Sequence, residues 1–308
     1  MKLEAQLAAM KHRAWRAAAD ARRVVTRAGS NAPALAALGE PDRTDPIEWL
    51  RATSDRHDAY RRSIEPAAGR IAAVCVSRRP QLIAQVAQQM AAQEIDPSRL
   101  DVVVVANLAA VESGPIDPAS ADGASMVAEI EAAFSGFSSF RLEIPPAGTT
   151  LGAGLNRALD LTDARFVAKI DDDDLYGPHH LADSLRAHIY AGAGVVGKHS
   201  YYASMTASGR TVLRFPTNEF RYSSTLAGGT LVIDRDRVGD LRFADVSLGE
   251  DRAFLAACHR RGISTFAADR FNFTQVRSDD NTWRLDDAAF LAGAIDVDVD
   301  APEHRIDR

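Results

Sequence analysis

The sequence predicts an α/β protein with a mostly parallel central sheet flanked by helices. Short apolar runs, as buried strands require, alternate along the chain with segments of helical periodicity. Strands that alternate with helices indicate a parallel sheet. Of the 308 residues, 46% are hydrophobic and 25% are charged. This is an ordinary globular balance in a chain long enough to bury a full core unaided.

Each element follows from a local pattern. Continuous apolar runs predict strands buried on both faces, and the strand candidates are residues 71–76, 100–105, 137–144 and 165–170. A helix is predicted from Pro80, a tolerated first-turn proline, to about residue 93, and a second over residues 151–161. Residues 112–125 are rich in Gly, Pro, Ser and Asp and predict a loop.

The chain divides into three regions. Residues 70–290 carry the alternating pattern and are expected to form the α/β domain. Residues 1–69 precede it as a helical extension, and residues 291–308 follow it as a polar tail. Residues 3–28 predict a helix with an alanine-rich apolar stripe and basic other faces. This helix would pack on its own domain or on a second copy of the chain, or it would contact an anionic membrane surface.

Composition and charge argue against several classes of function. The 36 Lys and Arg stand against 42 Asp and Glu, and this net charge of −6 is unlike that of a nucleic-acid binder. No run approaches the ~18–20 apolar residues of a membrane span, and the start lacks signal-peptide features. Cys75 and Cys258 are too few for a disulfide framework. We expect a cytoplasmic protein, with peripheral contact at the inner face of the membrane as an open alternative.

Four consecutive carboxylates, at residues 171–174, follow directly after a predicted strand. In open α/β sheets, ligands bind beyond the carboxyl ends of the strands. Mg²⁺ and Mn²⁺ prefer oxygen ligands and are typically held by one or two carboxylates together with substrate phosphates. The cluster therefore favours a metal site. The alternative is a solvated acidic turn at the N-terminus of the next helix.

Two further signals lie later in the chain. Glu250 and Asp251 begin a predicted helix that ends at Gly262. A carboxylate there would act as a general base if it were held near an acceptor hydroxyl, or it would simply complement the helix dipole. Gly228 and Gly229 stand at the start of an apolar strand. Paired glycines indicate either the close approach of a ligand or backbone, or a plain bulge.

In this order, the segments resemble family 2 glycosyltransferases with the GT-A fold, over residues 70–285. The matching segments are the first strand and its exit (73–80), a glycine- and asparagine-containing helix (152–158), a DxD-like acidic segment (169–176), an acceptor-side strand (228–232) and an ED-like motif (249–251). The ordered set at these separations carries the resemblance.

The resemblance implies inverting transfer of a sugar from a nucleotide-sugar donor to a hydroxyl of a glycan or lipid-linked acceptor, as in cell-surface polysaccharide synthesis. Asp171 and Asp173 would hold Mn²⁺ or Mg²⁺ on the donor diphosphate. Asp251, with Glu250 beside it, would take the proton from the acceptor hydroxyl. The other donor-binding residues implied are Ser77, Arg78, Asn107, Asn156, Asp172 and, as a further neighbour, Asp174.

The sequence departs from the family pattern in three places, one of which is that residues 1–69 match nothing in the family core. Ala106 and Asn107 stand where an Asp-containing turn is usual. No histidine lies between residues 271 and 285 to complete the metal site, and Arg277 would hold the diphosphate directly instead. Two other functions stay open. One is a nucleotidyltransferase, and the other is a non-catalytic relative that binds a nucleotide sugar or glycan as a scaffold.

Overall fold

The computed structural model describes residue 42, residues 44–278 and residues 287–297. The predicted basic helix at residues 3–28 and the end of the polar tail lie outside these residues, so the three-region division stays a prediction. Across the described ranges, every helix is too short or too polar to cross a membrane.

The elements of the described residues are as follows. The strands are β1 (Ile71–Ser77), β2 (Leu100–Ala106), β3 (Phe140–Glu143), β4 (Phe166–Ile170), β5 (Leu175–Tyr176), β6 (Val195–Gly197), β7 (Tyr201–Met205), β8 (Arg210–Arg214), β9 (Arg221–Tyr222), β10 (Val232–Asp234), β11 (Thr265–Ala267), β12 (Phe273–Arg277) and β13 (Ile295–Asp296). The helices are α1 (Pro46–Ser63), α2 (Pro80–Ala91), α3 (Ala121–Ala133), α4 (Leu151–Asp160), α5 (His180–Ala191), α6 (Arg235–Val238), α7 (Glu250–Arg260) and α8 (Asp287–Leu291).

The larger sheet of the described chain has the order β3-β2-β1-β4-β10-β6-β11-β9 and confirms the α/β prediction. β1 pairs in parallel with β2 and β4. The sheet is mixed, however, because β10 runs antiparallel to both β4 and β6. The preceding segment, residues 224–229, lies at the carboxyl edge of the parallel strands. A strand that follows it must therefore run back from that edge.

The two faces of this sheet are covered by separate apolar layers. Successive residues of β1 alternate between them, because side chains of a strand point to opposite faces: Ala73 and Cys75 enter one layer, and Ala72 and Val74 the other. The first layer includes side chains of α2, α3 and α5, and the second includes side chains of α4 and α7. Burial on both faces explains the continuous apolar runs of the sequence.

A smaller sheet, of order β13-β8-β7-β12-β5 in the described residues, has no counterpart in the sequence prediction. β5 follows the acidic cluster directly and pairs with β12, about a hundred residues further along the chain. One helix was also missed. Residues 121–125, predicted as a loop, begin α3, because Ser120 Oγ accepts a hydrogen bond from the Gly123 amide at 3.1 Å and caps the helix.

Helix α1 is fastened to the domain by buried polar contacts. Its Tyr60 joins the first apolar layer. Glu219 and Arg270, both 0% exposed, form an ion pair of 3.0 Å beneath the helix. We call Trp49, Thr53, Ser54, Glu219 and Arg270 the docking network. Trp49 Nε1 donates to Glu219 at 3.2 Å, and Arg270 donates to Ser54 Oγ at 3.0 Å. The described part of the extension therefore shares one core with the α/β domain.

Candidate active site

A cavity of about 580 Å³ opens at the carboxyl edge of β1, β2 and β4, between the larger and the smaller sheet. This size is usual for a small-molecule site. The cavity is lined by nearly all residues that the sequence singles out, namely Ser77, Arg78, Asn107, Asp171, Asp172, Asp173, Asp174, Glu250, Asp251 and Arg277. These residues therefore meet beyond the carboxyl ends of the strands, where a ligand site was predicted.

The four carboxylates of residues 171–174 alternate in exposure. The side chains of Asp171 and Asp173 are 32% and 20% exposed. Asp172 and Asp174 are buried. Carboxylate oxygens suit Mn²⁺ and Mg²⁺. The two more exposed side chains, spaced as in a DxD motif, are therefore the ones that could hold a divalent cation together with a bound phosphate.

Asp172 is engaged by the protein itself. It accepts hydrogen bonds from Ser77 Oγ and from the Arg79 guanidinium, whose Nε lies at 3.2 Å. Burial raises the pKa of Asp172 above its ordinary value, although Arg79 and Ser77 act in the opposite direction. Ser77 and Asp172 therefore form a buried part of the cavity wall whose polar atoms bond to each other. Arg79, which also reaches Asp173 at 2.9 Å, was missed by the sequence reasoning.

Asp174 ties the acidic cluster to the smaller sheet. Its Oδ1 accepts the amide of Val276 in β12 at 3.0 Å. Burial raises the pKa of Asp174 well above its ordinary value, and the charges of Asp171 and Asp173 raise it further. Like charges held this close repel one another, and a bound cation would relieve that repulsion. The cluster thus has the donor chemistry and the electrostatic reason to bind a metal ion.

Lys169 links the two acidic motifs. It is buried in β4, with Nζ 2.5 Å from Asp171 Oδ1 and 3.9 Å from Glu250 Oε1. Burial alone would lower the pKa of Lys169, but Asp171 and Glu250 outweigh it and raise the pKa above its ordinary value. The lysine therefore stays protonated between them. Its sequence signal, a single charge within an apolar strand, was available but not used.

Glu250 and Asp251 occupy the first turn of α7 but differ in environment. Glu250 is buried beside Lys169, and burial is the main cause that raises the pKa of Glu250. Asp251 lines the cavity and is less buried. Carboxylates are stabilised at a helix N-terminus. Of the two, Asp251 is the one placed to meet a ligand, and Glu250 pairs with the lysine behind it.

The paired glycines lie between the two acidic motifs. They form a 3₁₀ turn, Gly228–Thr230, before β10 begins. A Cβ on Gly228 would lie 2.3 Å from Asp251 Oδ2. A Cβ on Gly229 would lie 2.8 Å from Asp171 Oδ2 and 3.0 Å from Asp174 Oδ2. The groups that lie close to the glycines are thus side-chain carboxylates, and not the ligand or backbone of the sequence interpretation.

Asn156 does not belong to this site, contrary to the sequence prediction. Its Nδ2 donates to the Phe243 carbonyl and its Oδ1 accepts the Phe243 amide, both at 2.9 Å. Both polar atoms of the carboxamide are thus used to hold α4 against the segment before α7. Asn156 therefore holds the fold together and does not line the cavity.

The remaining predicted residues lie on different walls. Asn107 follows β2, and its Oδ1 is a buried acceptor without a hydrogen-bond partner among the described residues. Arg78 reaches Glu112 at 2.7 Å near the rim. Arg277 lies across the cavity on β12, with Nε 3.8 Å from Asp287 Oδ1. Asn107 Oδ1 is therefore available to a donor group of a ligand, such as a nucleobase amine.

A second group of metal-ligating residues lies beneath α1. His57, Asp183 and Asp269 are buried, and one ligand atom of each lies within 4.8 Å of the others. Asp183 already pairs with Arg61 at 2.7 Å and Arg186 at 3.1 Å. Asp269 already pairs with Lys198 at 2.9 Å. The three cations outnumber the two carboxylates, so a divalent cation would add to an excess of positive charge. This donor set does not fit a metal ion.

No protein-family model matches the chain, and no curated protein sequence matches it. Among solved structures, the mannosyltransferase PcManGT from Pyrobaculum calidifontis, in complex with GDP-Man and Mn²⁺, is similar with a TM-score of 0.51 and 15% identity, over 83% of this chain and 70% of that one. TarS 1–349 from S. aureus in complex with UDP-GlcNAc is similar with a TM-score of 0.52 and 15% identity, over 72% and 64%. The complex of TarS 1–349 with UDP is similar with a TM-score of 0.51 and 14% identity, over 68% of this chain and 61% of that one.

The chain therefore spans less than two thirds of the TarS chain. At these identities the likeness concerns the fold alone, an α/β fold with a mixed central sheet flanked by helices.

Proposed function

We propose that this chain is a metal-dependent inverting glycosyltransferase of the family 2, GT-A type. The observation that carries the proposal is that Asp171, Asp173 and Asp251 line one cavity, with Gly228 and Gly229 in contact with both acidic motifs. The shared fold supports the proposal. So does the resemblance of the ordered motifs.

In this proposal, Asp171 and Asp173 hold Mn²⁺ or Mg²⁺, which when bound stabilises the negative charge that develops on the departing nucleoside diphosphate. Lys169 fixes the position of Asp171 through their 2.5 Å contact. Asn107 Oδ1 accepts a hydrogen bond from the nucleobase or ribose. Arg277, on the opposite wall, pairs with a diphosphate oxygen.

Asp251 acts as the general base. It takes the proton from the acceptor hydroxyl as the oxygen of that hydroxyl forms a bond to the anomeric carbon of the donor sugar. The bond between this carbon and the phosphate oxygen breaks on the opposite side, so the configuration is inverted. Glu250 and Lys169 hold the start of α7 in place, since Lys169 Nζ lies 3.9 Å from Glu250 Oε1.

The acceptor and the cellular role extend the proposal. We place the acceptor among glycans and lipid-linked sugars of cell-surface polysaccharide synthesis, made on the cytosolic side of the membrane. The support is the resemblance of the motifs. Contact with a membrane or with a second copy through residues 3–28 stays a prediction, because those residues lie outside the described ranges.

The experiment that tests the proposal is a melting-temperature screen against UDP, GDP, CDP and TDP, each with and without Mn²⁺. We expect one nucleotide to stabilise the protein only with Mn²⁺. At a hundred times its dissociation constant, a ligand adds about 2.7 kcal/mol, which raises the melting temperature of a chain of 308 residues by about 4 °C. The double variant Asp171→Ala with Asp173→Ala should lose this shift.

The matched control is Asp163→Ala. The side chain of Asp163 is 82% exposed and precedes β4 at the opposite edge of the sheet, so its loss should leave the shift intact. If no nucleotide changes the melting temperature with or without Mn²⁺, the transferase proposal is wrong and a scaffold role is favoured. Release of pyrophosphate instead of a nucleoside diphosphate would identify a nucleotidyltransferase.

Gly229→Ala should weaken metal binding by at least about tenfold without unfolding the protein. The new Cβ would meet Asp171 Oδ2 at 2.8 Å and Asp174 Oδ2 at 3.0 Å. Asp171 is the more exposed of the two, so its carboxylate is pushed out of the position that Lys169 holds. Calorimetric titration with Mn²⁺ and the stabilising nucleotide measures the loss. Gly136→Ala is the control, because nothing lies within 4 Å of its Cβ position. Unchanged Mn²⁺ affinity in Gly229→Ala would argue against Asp171 as a ligand.

A further inference from the structure

A buried arginine lies on the wall of the cavity that the smaller sheet provides. Arg214, the last residue of β8, lines the cavity and is 5% exposed. Its Nε donates to the Phe290 carbonyl at 3.1 Å and its Nη1 to Tyr201 Oη at 2.7 Å. Among the described residues, Arg214 has no ion pair with a carboxylate. Its charge is therefore not neutralised by this part of the protein.

Aromatic rings hold the guanidinium but supply no counter-charge. Its central carbon lies 3.7 Å from the ring centroid of Phe290 and 4.5 Å from that of Phe215. Such cation–π contacts stabilise the position of an arginine. A buried charge is nevertheless unfavourable unless it is paired. The planar fork of a guanidinium matches a phosphate or a carboxylate, and the adjoining cavity admits such a group.

The loop after β8 has a backbone that non-glycine residues rarely adopt. Phe215, Thr217 and Phe220 have φ angles of +48°, +68° and +47°. Residues persist in this region only where the surroundings hold them there, and they cluster at ligand sites. Here Ser200 Oγ donates to the Phe215 carbonyl at 2.6 Å. The loop thereby presents the 38% exposed Phe215 at the cavity, next to Arg214.

β12 adds an unpartnered acceptor to the same wall. The side chains of Phe273, Gln275 and Arg277 all line the cavity, as alternate residues of one strand should. Gln275 Oε1 is buried and has no hydrogen-bond partner in the described ranges. A buried acceptor at a cavity is satisfied by a donor from the ligand, such as a hydroxyl group. The cation of Arg214, the hydrogen-bond acceptor of Gln275 and the aromatic ring of Phe215 thus lie on one wall of the cavity.

This wall is continuous with the proposed general base. The His199 ring packs against Phe215, with centroids 5.4 Å apart, and His199 Nδ1 lies 2.9 Å from Ser223 Oγ. The chain then lines the cavity from residue 224 to Gly228, which contacts Asp251. The proposed metal ligands, in contrast, lie at the end of β4 in the larger sheet. Because Phe215, His199 and residues 224–228 link Arg214 to Asp251, we assign Arg214 to the acceptor. Arg277, two residues beyond Gln275 on β12, marks the donor side of the same wall.

We propose that Arg214, Gln275 and Phe215 form an acceptor subsite for a sugar that carries a phosphate or a carboxylate. Arg214 pairs with the anionic group, Gln275 accepts a hydrogen bond from a sugar hydroxyl, and Phe215 packs against the apolar face of the ring. The inference rests on the proposed function, because it names the acceptor class of the same cavity.

The test is calorimetric binding of three probes, glucose 1-phosphate, glucuronate and methyl glucoside, with the donor side saturated by Mn²⁺ and the stabilising nucleotide. We expect one or both anionic probes to bind and methyl glucoside to bind at least tenfold more weakly. Arg214→Gln should weaken the anionic probe by about 10- to 100-fold. Arg214→Lys should restore part of this loss. Tighter binding of glucose 1-phosphate would identify the anionic group of the acceptor as a phosphate, and tighter binding of glucuronate would identify it as a carboxylate.

The control is Arg210→Gln at the exposed start of the same strand, where Arg210 pairs with Asp296. Equal binding of all three probes, or unchanged binding of the anionic probe by Arg214→Gln, would overturn the inference. So would a loss of the Mn²⁺-dependent nucleotide shift in Arg214→Gln, because Arg214 would then serve the donor. If no nucleotide binds, the probes are titrated without it. Anionic binding that depends on Arg214 then supports the subsite, while the transferase proposal fails.

Discussion

Asp251→Asn should lower the rate of sugar transfer by about 100- to 10,000-fold, the usual contribution of a positioned general base. An asparagine has nearly the same shape, but its carboxamide cannot take the proton from the acceptor hydroxyl. The stabilisation by nucleotide and Mn²⁺ should stay unchanged, since Asp171 and Asp173 are intact. Steady-state release of nucleoside diphosphate measures the rate, and the melting temperature measures binding.

Asp245→Asn is the matched control for this variant. It makes the same chemical change six residues earlier, at a side chain that contacts Thr150 Oγ1 at 2.6 Å and does not line the cavity. Its transfer rate should stay within about twofold of the unaltered protein, as expected for exposed positions away from the site. If Asp251→Asn keeps more than about a tenth of the rate, a different group takes the proton and the assignment of the base is wrong.

Glu219→Gln should reduce the free energy of unfolding by about 3–5 kcal/mol. The glutamine fills nearly the same volume but leaves the fully buried Arg270 without its counter-charge. Burial acts to lower the pKa of Arg270, and Glu219 is the main group that raises it. Urea denaturation followed by two spectroscopic probes measures the loss, and agreement of the two probes checks that unfolding is two-state.

Two further variants give this measurement its controls. Glu219→Gln combined with Arg270→Gln removes the unpaired charge and keeps amide groups that can bond to Trp49 and Ser54, so it should recover part of the lost stability. Asp240→Asn breaks an exposed ion pair with Arg261 and should leave the urea midpoint unchanged. A Glu219→Gln variant that unfolds at the urea concentration of the unaltered protein would mean that Arg270 is neutralised by another group.

The parts of the molecule that sequence could predict depend on local patterns. Continuous apolar runs identified β1 and β2, because both faces of these strands are buried. The position of the carboxylates after β4 predicted where the cavity lies, since the carboxyl ends of parallel strands share an edge. The local rule for paired glycines indicated a close approach or a bulge, but it could not identify the neighbouring groups, which are side-chain carboxylates.

The parts that could not be predicted depend on pairs of segments far apart in the chain. Asn156 has the same local sequence whether it binds a ligand or holds Phe243, and only the folded contact distinguishes the two. The smaller sheet could not be predicted for the same reason. The two residues of β5 are too few to show a strand pattern, and only their pairing with β12 makes them a strand. The sequence around Arg214 gave no indication of a binding site, since an arginine at the end of a strand is usually exposed.

The docking network has a consequence for synthesis of the chain. Trp49 bonds to a residue 170 positions later, and Leu50 accepts a bond from Arg270, 220 positions later. At about 5–20 residues per second, Arg270 leaves the ribosome roughly 10–45 s after Leu50. Until then α1 has only part of its contacts, such as the bonds of Tyr60 and Arg61 to Asp183 in α5. The docking network is therefore completed only after residue 270 has been made, so α1 reaches its final set of contacts late in synthesis.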